Sequence, residues 1–324
     1  MIGKRGKLMI LLYVIFLAVL FLMCSTDLII REPEKEIYQI AVIIEDVRDD
    51  NYSNFKKGMD QAAVEFNADV RFITLYEKLD TRQQLELIER EQQDGTDALI
   101  VVPADEEQVI AALAGKKVTV PVVLLSSGLT GEGVTGNVDI DYKDMGKYLA
   151  ERMAEHMTKD VPVLIASSPE SQSMMSRNFL DGAEGALSEM GYECQIVDYD
   201  RQKMGEIPER FGKRTGTKTA ILAESPEILA EMAGFLADNP SCRDAVQGLF
   251  GRGSTWPILN YLDRGLITGI CVTDEFSIGY FSVYMAVQGL EGYGKQTPRE
   301  VDFHYIEKED LRDPAYEKML FPIE

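Results

Sequence analysis

Residues 37–72, IYQIAVIIEDVRDDNYSNFKKGMDQAAVEFNADVRF, read as a buried strand, a polar loop, an amphipathic helix and a second strand. Ile40–Ile44 is short and β-branched, which suits a parallel strand covered on both faces. Phe55, Met59, Ala62 and Phe66 then recur at helical spacing and mark one buried face. The connecting loop lies at the carboxyl end of the strand, where open α/β sheets bind ligands. It carries Asp46, Asn51 and Tyr52 and no phosphate-binding or catalytic motif, so it is suited to holding a small polar molecule.

Outward from this unit, strand and helix alternate almost to the end of the chain. Strands are predicted at 39–45, 70–75, 98–102, 120–126, 136–139, 161–166, 193–198, 219–223, 247–250 and 267–272. Helices are predicted at 54–66, 81–93, 106–114, 141–157, 174–190, 226–238, 256–264 and 277–290. Thr81 and Ser225 read as helix N-caps, and Gly95 and Gly191 lie just past helix ends. Such alternation predicts parallel sheets with helices on both faces. Ten strands are many for one sheet, so the expectation is two doubly wound α/β lobes joined by a multi-strand hinge. The amino-terminal lobe would comprise 38–138 with 274–296, and the carboxyl-terminal lobe 139–273. The chain would cross near Val138–Asp141, return near Val272–Glu275, and cross again in the tail. The tail, 297–324, carries Pro298, Pro314 and Pro322 and reads as extended, with Val301–Ile306 as an edge strand. Arg201–Thr217 reads as a loop or broken helix.

The chain of 324 residues carries a net charge of −21, which repels phosphate backbones and argues against nucleic-acid binding. Basic residues concentrate at its start: 1–7 reads as a cytoplasmic end, 8–26 as a transmembrane anchor or signal segment, and 27–37 as a linker. Leu8–Thr26 is an uncharged run of 19 residues, about 28 Å as a helix and close to a bilayer core. Three readings of it compete: an uncleaved anchor, a lipid-modified Cys24, and a cleaved signal peptide. Each places the folded part outside the cytoplasm.

Four cysteines show neither metal spacing nor a disulfide framework; Cys271 reads as buried, and a Cys194–Cys242 bridge is conceivable. No cofactor is predicted. No G-x-G-x-x-G immediately follows a predicted strand, Gly212–Thr219 fails the spacing of a phosphate loop, and no G-x-S-x-G elbow exists. What remains at predicted strand ends is Asp46, Asn51, Tyr52, Ser126, Ser127, Arg177, Tyr199, Ser225, Arg252, Trp256, Thr273 and Asp274. Several have plain alternatives: Tyr52 as a staple, Ser126–Ser127 as a turn, Ser225 as a cap, Trp256 as helix–sheet packing. Arg177, in the first turns of a helix where the dipole disfavours a cation, reads as a binding residue.

Three segments carry a resemblance: the first strand–loop–helix with Lys57-Gly58-Met59, Ala98–Asp105 (ALIVVPAD) ending in Pro-x-Asp, and Arg177–Gly182 (RNFLDG). Over roughly 38–290 the chain resembles type I periplasmic binding proteins, in particular the ribose/galactose group. The resemblance implies two lobes that close on a ligand in the cleft. It implies Asn51 and Tyr52 as amino-lobe contacts and Arg177 as the carboxyl-lobe fork. Tyr199 would form an aromatic wall, Ser225 an amide position, Arg252 or Gly253 a carboxylate position, and Thr273 a hinge contact. The group's Asp-Arg after the fourth strand is Ser126-Ser127 here, and the expected carboxylate near Gly253 and Asn at Ser225 are missing. The implied protein is no enzyme: it is a membrane-tethered carrier of a small sugar-like ligand, serving an ABC permease or, alternatively, a histidine-kinase receptor.

Overall fold

The structure, a computed structural model, describes residues 4–25, 37–115, 118–126, 131–168, 173–199 and 218–322. Ser127, the Arg201–Thr217 segment and the linker at 27–36 therefore lie outside the described residues. The amino-terminal helix α1 (Lys4–Ser25) is a compact unit of its own. Within it, Arg5–Met23 is long and apolar enough to cross a membrane.

The unit from Tyr38 to Glu324 contains two six-stranded sheets. The first is built from β1 (Tyr38–Ile43), β2 (Ala68–Ile73), β3 (Ala98–Val101), β4 (Val122–Ser126), β5 (Gly136–Asp139) and, late in the chain, β11 (Arg299–Glu300). Its order is β11-β5-β4-β3-β1-β2, all parallel. The second contains β6 (Val163–Ser167), β7 (Cys194–Asp198), β8 (Thr219–Ala223), β9 (Val246–Arg252), β10 (Gly269–Thr273) and β12 (Phe303–Ile306). Its order is β12-β10-β9-β8-β6-β7, with β12 antiparallel to β10. The chain passes between sheets at 140–141, at 274, and at 301–302, where Val301 N–H donates to the Asp139 carbonyl (2.9 Å).

Alternation along β1 shows why the sheet needs two helical layers. Ile40, Val42 and Ile44 face Phe55, Met59 and Ala62 of α2 (Ser53–Phe66), together with α10 (Glu275–Leu290). Ala41 and Ile43 face the opposite layer, where Leu87 and Ile88 of α3 (Thr81–Gln93) and Val109 and Leu113 of α4 (Glu106–Ala114) pack. Residues 40–44 are all fully buried, each large side chain contributing roughly 1.5–3 kcal/mol. In the second sheet Val163 and Ile165 face α5 (Tyr142–Glu155) and α6 (Met174–Glu189). Leu164 and Ala166 face α7 (Pro226–Asp238) and α9 (Trp256–Asp263), and a short helix α8 (Pro240–Asp244) follows α7. Two helix pairs, α2 with α10 and α5 with α6, meet through glycines. A Cβ at Gly279 would lie 2.0 Å from the Phe55 carbonyl oxygen, and one at Gly146 would lie 1.9 Å from that of Phe179.

Three local expectations are corrected. Asp80, not Thr81, caps α3, its carboxylate accepting from Gln83 N–H at 3.0 Å; the carboxylate one residue earlier reaches the orphan amide first. The tail is not mainly extended: after β12 come a 3-10 turn (Glu309–Arg312) and α11 (Pro314–Leu320), capped by Asp313. Pro314 occupies the first helical position, where a missing N–H costs nothing, so the proline that suggested extended chain starts a helix instead. Cys194 and Cys242 are free thiols rather than a bridge.

Candidate functional site

Every parallel strand from β1 to β10 points its carboxyl end toward one shared cleft, and the cleft lies between the two sheets' connecting loops. In each sheet the strand order reverses beside β1 or β6, the position at which open α/β sheets leave a crevice. The cavity there measures about 350 Å³, within the ordinary range for small-molecule sites.

From the first sheet, the loop after β1 contributes Glu45, Asp46, Asn51 and Tyr52, and the loop after β2 contributes Lys78. Tyr52 Oη donates to Glu45 Oε2 at 2.8 Å, and its ring packs against Phe55 and Phe72. Asp46 accepts from the Val47 and Arg48 amides and lies 2.9 Å from Lys78 Nζ. From the second sheet come Ser176, Tyr199, Glu224, Ser225, Glu227 and Arg252, with Tyr142, Thr273 and Glu275 where the chain crosses between sheets. Arg252 is held in place: Nε donates to the Glu224 carbonyl (3.2 Å), Nη2 to Ser176 Oγ (3.1 Å), and the guanidinium lies over Tyr142 and Phe179. Ser167 Oγ donates to Glu224, and Tyr199 Oη donates to Glu231. Two contacts join the sheets' loops directly: Asn51 Nδ2 donates to Glu227, and Lys78 Nζ lies 3.6 Å from the same carboxylate.

Burial dominates the electrostatics. It pushes Glu45 up to about 7, against the bond from Tyr52 and the charge of Lys78. It likewise pushes Glu275 up to about 7, against the bond from Ser254 and the charge of Arg252, and Tyr142 up to about 12. Burial would depress Lys78, but Glu227, Asp46 and Glu45 outweigh it and the ammonium is held. Burial also works to raise Glu227; Lys78 and Ser225 reverse this and keep it below the usual carboxylate range. The cleft therefore offers a fixed ion pair and two carboxyls that can both donate and accept near neutral pH.

Of the residues singled out in the sequence, Asp46, Asn51, Tyr52, Tyr199, Ser225, Arg252 and Thr273 line the cleft. Ser225 also caps α7, accepting from Ile228 N–H. Ser126 ends β4, its backbone paired with Asp139. Three of the residues do not line this cavity. Arg177 is exposed and does not line the cleft. The buried face of α6 runs through Ser176, Phe179, Leu180 and Ala183, and the next residue turns about 100° from Ser176 toward solvent; there Arg177 helps hold the Asp105 carboxyl low, after the bond from the Gln108 amide. Asp274 does not face the cleft but caps α10, accepting from Ser277 N–H (3.0 Å) and Ser277 Oγ (2.6 Å). Trp256 is 71% exposed and touches neither the main cavity nor a helix–sheet interface; its ring meets Phe321 edge-on at 6.3 Å.

Missed were Glu45, Lys78, Tyr142, Ser176, Glu224, Glu227 and Glu275. Where a carboxylate near Gly253 and an Asn at Ser225 were expected, the cleft is lined by Glu224, Glu227 and Glu275. Glu224 directly follows β8 and Glu227 sits in the first turn of α7, so the strand-end position was the available signal.

The family model described as "periplasmic binding protein domain" matches residues 40–295. Among solved structures, an ABC transporter solute-binding protein from Agrobacterium vitis bound with α-D-tagatopyranose superposes with a TM-score of 0.74 at 18% identity, covering 88% of this chain and all of that one. A glucose-galactose binding protein from Geobacillus stearothermophilus gives 0.73 at 18% identity, covering 86% and 100%. A solute-binding protein from Bacillus halodurans with bound myo-inositol gives 0.72 at 18% identity, covering 89% and 99%. At such identity the likeness establishes the fold. Among curated proteins, no sequence matches the chain.

Proposed function

Because the chain belongs to the periplasmic binding protein domain family, we propose that it is an extracytoplasmic solute-binding protein, tethered by α1, that closes on one small neutral polyol for delivery to an ABC permease. The sugar and inositol ligands of its structural neighbours support this ligand class. The observation that carries the proposal is the convergence of Glu45, Glu224, Glu275 and Arg252 on one cleft at the strand ends. Ionised or readily ionised groups bond paired hydroxyls strongly, while Tyr52, Tyr142 and Tyr199 present apolar ring surface to carbon-bound hydrogens.

No covalent step is part of this function. A ligand touching both lobes shifts the open–closed balance by its preference for the closed form. The tether raises the protein's concentration beside a membrane partner.

Thermal unfolding of the full chain in detergent, against neutral sugars and polyols with amino acids and sugar phosphates as controls, tests the proposal. A neutral polyol at 100 times its Kd should add about 2.7 kcal/mol of stability. Stabilisation by amino acids or sugar phosphates alone would overturn it.

A further inference from the structure

Beside the main cleft lies a second compartment of about 540 Å³. The two share Arg48, Asn51, Pro226, Glu227, Glu231 and Glu275 as lining, so they are neighbouring chambers of one groove. The bond from Asn51 to Glu227 stands in the wall common to both. The outer chamber is bounded by the start of α2, the start of α9 and the tail. Asn54 Nδ2 donates to the Leu320 carbonyl at 3.4 Å, and Lys57 Nζ donates to the Pro322 carbonyl at 3.1 Å.

Trp256 lines this chamber and is 71% exposed. Packing does not explain it, because α9 buries Ile258, Leu259 and Leu262 instead. Phe321, which meets the tryptophan ring edge-on, and Pro257 line the same chamber, as do the charged groups Asp50, Lys57 and Glu231. A flat apolar surface in one chamber with charged hydrogen-bonding groups suits a saccharide ring, since such a ring has an apolar face and a rim of hydroxyls.

We propose that the outer chamber is a second saccharide subsite, with Trp256 as its stacking platform, so that the preferred ligand is a glycoside of at least two rings. This deepens the polyol reading and rests on it. One ring occupies the inner cleft, the second lies on Trp256, and Asn51 and Glu227 meet the linkage between them.

Trp256 is the only tryptophan in the chain, so its fluorescence reports on this chamber alone. The full chain in detergent is titrated with D-glucose, D-galactose, D-xylose and myo-inositol, and with maltose, cellobiose, lactose and xylobiose, following calorimetric heat and tryptophan emission together. At least one disaccharide should bind about tenfold tighter than either of its component sugars and shift the emission to the blue, whereas single rings leave emission unchanged. Trp256→Ala should reduce that preference to less than about threefold. If single rings bind as tightly as disaccharides, or if Trp256→Ala preserves the preference, the subsite is overturned while the polyol reading stands. Absence of heat with every saccharide overturns both.

Discussion

Lys78 Nζ, on the loop after β2, lies 3.6 Å from Glu227 Oε1, on the first turn of α7 beyond β8. The pair joins the loops of one sheet to those of the other, and both side chains are largely shielded from solvent. Lys78→Met leaves Asp46 and Glu227 facing each other without the intervening cation. Partly buried pairs of this kind are worth about 1–2 kcal/mol, so the closed form should lose population by roughly 5- to 30-fold. Small-angle scattering of the ligand-free protein should report a larger radius of gyration, and ligand affinity should fall by a similar factor. An unchanged radius and affinity would show that the pair does not hold the lobes together.

Arg252 and Arg177 should behave oppositely. Arg252 bonds the Glu224 carbonyl and Ser176 and helps hold down Glu275. Its replacement by Ala should abolish measurable ligand binding and cost roughly 1–3 kcal/mol of stability. Arg177 is exposed, so Arg177→Ala should change stability by less than about 0.5 kcal/mol and leave affinity nearly intact. Calorimetric titration with a thermal melt of each variant separates the two. Loss of binding on Arg177→Ala would mean that the ligand draws this side chain inward.

A pH effect follows from Glu45. Its folded-state value, about 7, lies above the ordinary 4.5. Below pH 4.5 folded and unfolded states both carry the proton; as pH rises toward 7, only the unfolded state releases it readily, and stability is lost. Glu45→Gln removes this loss while keeping an acceptor for Tyr52. The variant should match the wild type near pH 4.5 and be more stable by roughly 3 kcal/mol above pH 7. Melting temperatures across pH 4–8 would show the divergence; parallel curves would mean that Glu45 is ionised when folded.

Gly146 lets α5 approach α6 until a Cβ would stand 1.9 Å from the Phe179 carbonyl oxygen. Backbone cannot yield as a flexible side chain does, so Gly146→Ala should destabilise by roughly 3 kcal/mol or more. Gly185, on the same helix pair with open space around its Cβ position, should accept Ala with little change or a slight gain. Denaturant titration of both variants makes the comparison. Equal effects would mean that the helices do not meet through Gly146.

The fold was legible because it depends on periodicity. Ile40–Ile44, short and β-branched, suited a strand covered on both sides, and the spacing of Phe55, Met59, Ala62 and Phe66 suited a helix buried on one face. Seven residues that line the cleft were legible because the carboxyl end of a strand is a sequence position. The rest depended on quantities that spacing does not carry. Whether Arg177 or Ser176 faces inward is decided by about 100° of helix rotation. Whether Asp274 or Glu275 reaches the cleft is decided by which carboxylate caps α10. Lys78 lies in a loop with no strand-end motif, and only folding brings it to Glu227. Pro314 signalled a break and marked a start.

Two lobes that grip a neutral polyol should release it unchanged. Small-angle scattering of the full chain, recorded with and without a saturating saccharide whose identity is then checked by mass spectrometry after release, tests it most directly. One ligand per chain, a smaller radius of gyration when bound, and recovery of the same molecule are expected. A ligand that binds without compacting the protein, or that is recovered as a different compound, would contradict it.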